Sequence, residues 1–193
     1  DEQEYEIADF LFAMGARLPL TKIADPDSST PRKIGIIHAL IKRSHIAQTQ
    51  KIRNLAWLLD KGYDPDDSGD MKHTAIFDAK RPSEIRLLCQ YGADPNSRDE
   101  DGYTPLLKLN TNSPKYALKM AIILTHAGAN IHYQHPRTRS TILHRAANRG
   151  LIDVVAYFLI KGVNKHIQNI HGLFPVELVH TDHGNLRQIL LSD

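Results

Sequence analysis

The chain has 193 residues, a formal net charge of +2, 41% hydrophobic and 24% charged side chains, and one cysteine. That length suits one compact domain or a short repeat array, and that balance excludes disorder as the default state. The near-neutral charge gives no general reason to expect nucleic acid or an anionic membrane as partner, and the lone Cys89 excludes an internal disulfide framework. Within Leu87-Leu88-Cys89 the thiol reads as a small buried hydrophobe on a helix face, a usage that suits a reducing compartment. No stretch approaches the ~20 apolar residues of a membrane span; the run near Leu151 to Ile160 is broken by Asp153. The opening Asp-Glu-Gln-Glu lacks the basic-then-apolar pattern of a signal peptide, and without an initiating Met the chain reads as a processed or excised piece of something longer.

In chain order, residues 1–18 read as the trailing half of a helical unit that stops at Gly15-Ala16. Residues 19–33 hold Pro19, Pro26 and Pro31 among Asp and Ser, and read as an inserted extended loop. The unit 34–66 starts its first helix in Ile34-Gly35-Ile36-Ile37-His38-Ala39 and stops its second at Gly62; its insert Lys42 to Lys51 looks helical and is expected to lengthen the helices. The unit 67–96 starts at His73-Thr74-Ala75-Ile76-Phe77 and stops at Gly92-Ala93-Asp94. The unit 97–132 has the clearest start, Asp101-Gly102-Tyr103-Thr104-Pro105-Leu106-Leu107. Its polar insert Asn110-Thr111-Asn112-Ser113-Pro114 restarts a helix that stops at Gly128. The unit 133–166 starts at Ser140-Thr141-Ile142-Leu143-His144 and stops at Gly162-Val163-Asn164. Residues 167–193 start at Gly172-Leu173-Phe174-Pro175, have no closing phrase, and read as a C-terminal cap.

Two phrases thus alternate. In the stop phrase, Gly takes the left-handed conformation that ends a helix, and Asp or Asn suits the turn that follows. In the start phrase, Thr104 can cap free N–H groups and Pro105 fits the first helical position. Gly15, Gly62, Gly92, Gly128 and Gly162 lie 47, 30, 36 and 34 residues apart, the last three near a period of about 33. The interval from each stop Gly to the next helix start is nearly constant, whereas the helix–loop–helix half varies in length. Uniform hairpins argue for continuous stacking.

These phrases resemble the ankyrin-repeat signature, Thr-Pro-Leu-His-x-Ala followed by Gly-Ala-Asp-x-Asn, over nearly the whole chain, most strongly from Thr141 to Asn164. The resemblance implies an all-α, helix-turn-helix solenoid with β-hairpin-like loops between units. It implies that His38 and His144 hydrogen-bond backbone or a Thr hydroxyl to brace their turns. It also implies a partner protein held on hairpin tips and inner-helix ends: Asp70, Met71 and His73; Glu100, Asp101 and Tyr103; Arg137 and Arg139; Asn148 and Arg149; Ile170, His171 and Leu173. The acidic stretch Asp99 to Asp101 followed by Arg137, Arg139, Arg145 and Arg149 suggests a mixed-charge face around Glu100 to Arg149.

No phosphate loop, nucleophile elbow or zinc-protease helix is present, so no enzymatic activity is expected. His132 with His135 and His180 with His183 lack the companions of a zinc motif; the eleven histidines are read as structural or surface groups, with no metal and no cofactor. Asn96 reads as a turn asparagine. The expectation is a monomeric scaffold or adaptor module in the cytoplasm, without membrane or nucleic-acid partners. One form of it is a fragment of a larger protein such as a bacterial effector, acting in host cytoplasm or nucleus. Two other readings stay open: a substrate-recruiting domain of a larger enzyme, and nucleic-acid binding through Arg137 to Arg149, which would show a steep salt dependence.

Overall fold

The computed structural model describes residues 23–24, 33–44, 46–68, 72–109, 113–180 and 184–192. The expected half-unit 1–18, most of the loop 19–33, the tip residues Asp70 and Met71, and Asn110 to Asn112 lie outside the described residues. The chain forms two compact units, 1–94 and 95–193.

In the first unit, β1 (Ile23–Ala24) pairs antiparallel with β2 (Lys33–Ile34), Ile23 opposite Ile34. The ladder is two residues long on each strand. Helix α1 (Ile36–Lys42) is buried at every position from Ile36 to Ile41. Its N-cap is Gly35, and a Cβ there would lie 2.4 Å from the Asp67 carbonyl oxygen, so only glycine admits that backbone approach. The insert does not lengthen both helices. The chain turns extended at Arg43 and becomes helical again at α2 (Gln48–Asp60), so the extra length falls in α2 alone. The break is braced by Lys51, whose Nζ donates to the Ile41 carbonyl at the end of α1 (2.9 Å) and lies 3.9 Å from the buried Glu84. A 3-10 turn (Ala75–Phe77) and α3 (Pro82–Gln90) complete the unit, and Glu84 caps α3 by accepting the Arg81 N–H at 3.2 Å.

The second unit contains α4 (Pro105–Lys108), α5 (Pro114–His126), α6 (Ile142–Asn148), α7 (Ile152–Ile160), a 3-10 turn (Pro175–Leu178) and α8 (Gly184–Leu191). The start phrase behaves as read: Thr104 Oγ1 accepts the Leu107 N–H at 3.4 Å, with Pro105 in the first turn. The stop phrase does too, since Gly62, Gly92, Gly128 and Gly162 have φ between +78° and +93°. Asp64, Asn130 and Asn164 then accept the N–H two residues on, at 2.9, 3.0 and 2.8 Å. Helix α7 packs against α5, α6 and α8. The core of this unit holds Leu106, Met120, Leu124, Leu143 and Phe158, and the small Ala146 and Ala147 are buried on α6. The architecture is an all-α repeat fold of ankyrin type. Among the described residues, no helix is long and apolar enough to cross a membrane.

Candidate partner-binding surface

Each hairpin of the second unit turns on one buried polar side chain. Asp99 closes the first: its N–H donates to Tyr103 O, and its carboxylate accepts the N–H groups of Tyr103 (2.8 Å) and Asp101 (3.1 Å) and Lys108 Nζ (2.6 Å). Burial alone would raise the Asp99 carboxyl, but Lys108 and the two backbone donors outweigh it and hold it below its usual value. Asn169 repeats the arrangement without charge, accepting from His171 (2.9 Å) and Leu173 (3.1 Å) while its N–H donates to Leu173 O.

His135 holds the middle hairpin, which is one residue longer. Its N–H donates to Ser140 O, and its Nδ1 accepts the Thr138 N–H at 3.0 Å. That leaves Nε2–H to donate to Asp101 O at 2.9 Å, which fixes the tautomer. The extra residue is absorbed at Arg139, which takes a φ of +54°.

The tips are also tied to one another. Tyr133 Oη donates to Gly102 O at 2.7 Å, and the Ile170 N–H donates to Thr138 O at 2.9 Å. Tyr103 sits among cations and an imidazole: the His135 ring lies 4.1 Å away, the Arg145 guanidinium 5.2 Å and the Lys108 ammonium 5.9 Å. The supposed acidic and basic patches are partly one feature, because Arg137 Nη2 contacts Asp101 Oδ1 at 2.5 Å. Two more arginines reach backbone carbonyls. Arg145 Nε donates to Leu107 O (3.2 Å) and Arg149 Nη1 to Leu109 O (2.8 Å), satisfying carbonyls at the end of the short helix α4.

Of the expected contact residues, Glu100, Asp101, Arg137, Arg139, Asn148, Arg149, Ile170 and His171 are exposed, and Tyr103 and Leu173 are half-buried. Ile170 leaves 57% of its surface open at its tip. His73 lies in the other unit, half-buried, with Nε2 3.2 Å from Asp78 Oδ2. His144 braces its turn as the resemblance implies: Nδ1 accepts the Thr141 N–H at 3.1 Å and Nε2 donates to Leu173 O at 3.0 Å. His38 is held more loosely: neither ring nitrogen makes a well-formed hydrogen bond, although the Asp67 backbone lies close enough to raise its pKa. Asn96 is a working turn residue, donating to Gly128 O and accepting from the Asn130 N–H.

Sequence reasoning missed the residues on which the hairpins turn, although a signal existed. Asp99, His135 and Asn169 each stand seven positions after a stop glycine, at Gly92, Gly128 and Gly162. Their chemical dissimilarity hid the register.

The family model for the ankyrin repeat matches residues 139–170. The chain is 36% identical over 102 residues to BRCA1-associated RING domain protein 1 of Caenorhabditis elegans, covering 53% of this chain and 14% of that protein. It is 31% identical over 138 residues to neurogenic locus notch homolog protein 1 of Mus musculus, covering 66% of this chain and 5% of that protein. It is 29% identical over 98 residues to human cyclin-dependent kinase inhibitor 2A, covering 51% of this chain and 60% of that protein. The chain spans less than two thirds of the length of each of these relatives.

Proposed function

Because the chain is an ankyrin-repeat protein, we propose that it is a non-catalytic scaffold or adaptor module that grips a partner protein with the hairpin tips of residues 95–193. Ankyrin repeats are protein–protein interaction modules. The observation that carries the reading is the tip network: Asp99, His135 and Asn169 fix each hairpin internally, and Tyr133 and Ile170 tie neighbouring hairpins together. Loops fixed before binding lose little conformational entropy when a partner arrives. They present a half-buried aromatic, an exposed isoleucine and exposed arginines, a combination suited to protein recognition. Phosphate recognition is less well served, since Arg145 and Arg149 donate to carbonyls and Arg137 is paired with Asp101. The matched relatives extend well beyond the segment they share with this chain, which supports a place within a larger protein; a cytoplasmic setting belongs to the same proposal.

The test is quantitative affinity capture from cytosolic lysate, comparing the chain with a variant carrying Arg139→Glu and Ile170→Asp. Both side chains are exposed, so the fold should hold, as far-UV circular dichroism would verify. Proteins retained by the original chain and lost by the variant are expected. The proposal fails if the two bind the same set, or if the material retained is nucleic acid released steeply by salt.

A further inference from the structure

Away from the tips, the unit of residues 1–94 gathers His38, His73 and Asp78 from three places: the interior of α1, the turn before the 3-10 helix, and the residue just after it. One ligand atom from each lies within 4.8 Å of the other two. His38 Nε2 is 3.8 Å from Asp78 Oδ2, and His73 Nε2 is 3.2 Å from the same oxygen. The decisive feature is His38. It is fully buried, and neither Nδ1 nor Nε2 makes a well-formed hydrogen bond, with only weak support from the Asp67 backbone, whereas His144, at the same place in its own helix start, satisfies both. Gly35 stands where Thr141 caps the other helix, so no hydroxyl is there to engage the ring. A buried imidazole so weakly satisfied, one nitrogen of it near a carboxylate and a second histidine, has room for a further partner.

We propose that His38, His73 and Asp78 form a binding site for a zinc-like divalent transition-metal ion. Two imidazoles and one carboxylate are the donor set of open zinc sites, with a fourth position left for water or an outside ligand. Bonds of about 2.0–2.1 Å around a tetrahedral ion place neighbouring donors roughly 3.3 Å apart. The His73–Asp78 edge already has that length, and the His38–Asp78 edge must shorten by roughly 0.5 Å. The third edge closes by movement of His73, which retains 23% side-chain exposure and so has room to turn. Asp78, at 19% exposure, lies on the same open side, through which an ion can enter.

The electrostatics are mixed but permissive. Burial lowers the His38 pKa despite Asp78 and the Asp67 backbone, a direction that favours the neutral ring. Asp78 would be raised by burial, yet hydrogen bonding and charge from His73 bring it below its usual value. Lys42 is close enough to act on both groups and opposes a dication; the carboxylate charge offsets it. On binding, the coordinating nitrogens of His73 and His38 must each present a lone pair, so any proton held there is released.

The chelator-stripped chain would be titrated with Zn²⁺ and, separately, with Co²⁺. One equivalent should bind, raise the thermal midpoint, and give the intense visible bands of four-coordinate cobalt. Asp78→Asn and His73→Gln, both at half-buried positions, should each weaken binding by at least about 100-fold, the upper end even for indirect metal partners. A His180→Gln and His183→Gln double variant should bind as the parent does. Weak, octahedral-type cobalt bands in the unmodified chain, or an affinity that Asp78→Asn leaves unchanged, would overturn the assignment. If a variant fails to fold, the cobalt spectrum of the unmodified chain still decides.

Discussion

Replacing Asp99 separates two roles that its carboxylate combines. Asp99→Ala would leave the part-buried N–H groups of Tyr103 and Asp101 without their acceptor and remove the partner of Lys108. An unsatisfied backbone donor costs about 1–3 kcal/mol, and water reaching the exposed rim of the hairpin recovers part of it, so a net loss of ~2–4 kcal/mol is expected. For a chain of this length each kcal/mol moves the thermal midpoint by about 2–4 °C, giving a shift on the order of 10 °C. Asp99→Asn keeps an acceptor oxygen for the same donors, as Asn169 does in its own hairpin, and loses only the charge interaction. Lys108 is 44% exposed, so that interaction is screened and worth ~0.5–1 kcal/mol. The two variants differ in pH behaviour as well. The folded pKa of Asp99 lies below 3.8, so its contribution is complete above that pH and disappears as pH falls through the folded value. Asp99→Asn should lack this part of the acid limb. Urea and thermal unfolding followed by circular dichroism measure both effects. If Asp99→Asn costs as much as Asp99→Ala, charge rather than acceptor geometry holds the hairpin and the reasoning is wrong.

Arg139→Gly should stabilise the fold by ~0.5–1 kcal/mol, because glycine adopts a φ of +54° without strain; a lower urea midpoint would contradict it. In metal-free buffer, stability should fall as pH drops below 6.5, because burial depresses the folded pKa values of His38 and His144 and the unfolded chain takes up protons first. An unchanged urea midpoint between pH 7.5 and 5.5 would rule that out. Cys89, whose pKa burial and the nearby Asp66 push up to about 11, should react slowly with a thiol reagent at neutral pH in the folded chain and fast once it is denatured. Rapid labelling of the native protein would show the thiol to be activated instead.

The helix boundaries were legible because they depend on local chemistry. Thr104-Pro105 starts a helix and Gly128 ends one for reasons contained within four residues of sequence. That Arg145 and Arg149 donate to backbone carbonyls is not legible: both read as part of a basic patch, and nothing local says that the carbonyls of Leu107 and Leu109 lie within reach, about 40 residues upstream. The pairing of Asp101 with Arg137 was hidden in the same way, since two charges 36 residues apart become neighbours only once the hairpins are set side by side. His38, His73 and Asp78 are the extreme case. Close spacing singles out pairs such as His132 and His135, which lack the companions of a metal motif, whereas the observed cluster joins residues that only the packing of α1 against the 3-10 turn brings together.

That packing dependence bears on how such a surface could change partners without losing its fold. Asp99, His135 and Asn169 perform one task with three different side chains, so the task must be to accept backbone N–H groups at a fixed place, and any acceptor of suitable reach satisfies it. The residues beside them are under no such demand. Glu100, Ile170 and His171 are exposed, and the hairpins are closed chiefly by backbone groups and by those three side chains. Charge at the tips is also partly balanced within the chain, Asp99 by Lys108 and Asp101 by Arg137, so a new tip residue adds its own charge or apolar surface without having to repair an imbalance. Rigidity and specificity are therefore carried by different positions in the same loop, which lets a preorganised tip remain preorganised while what it presents is rewritten.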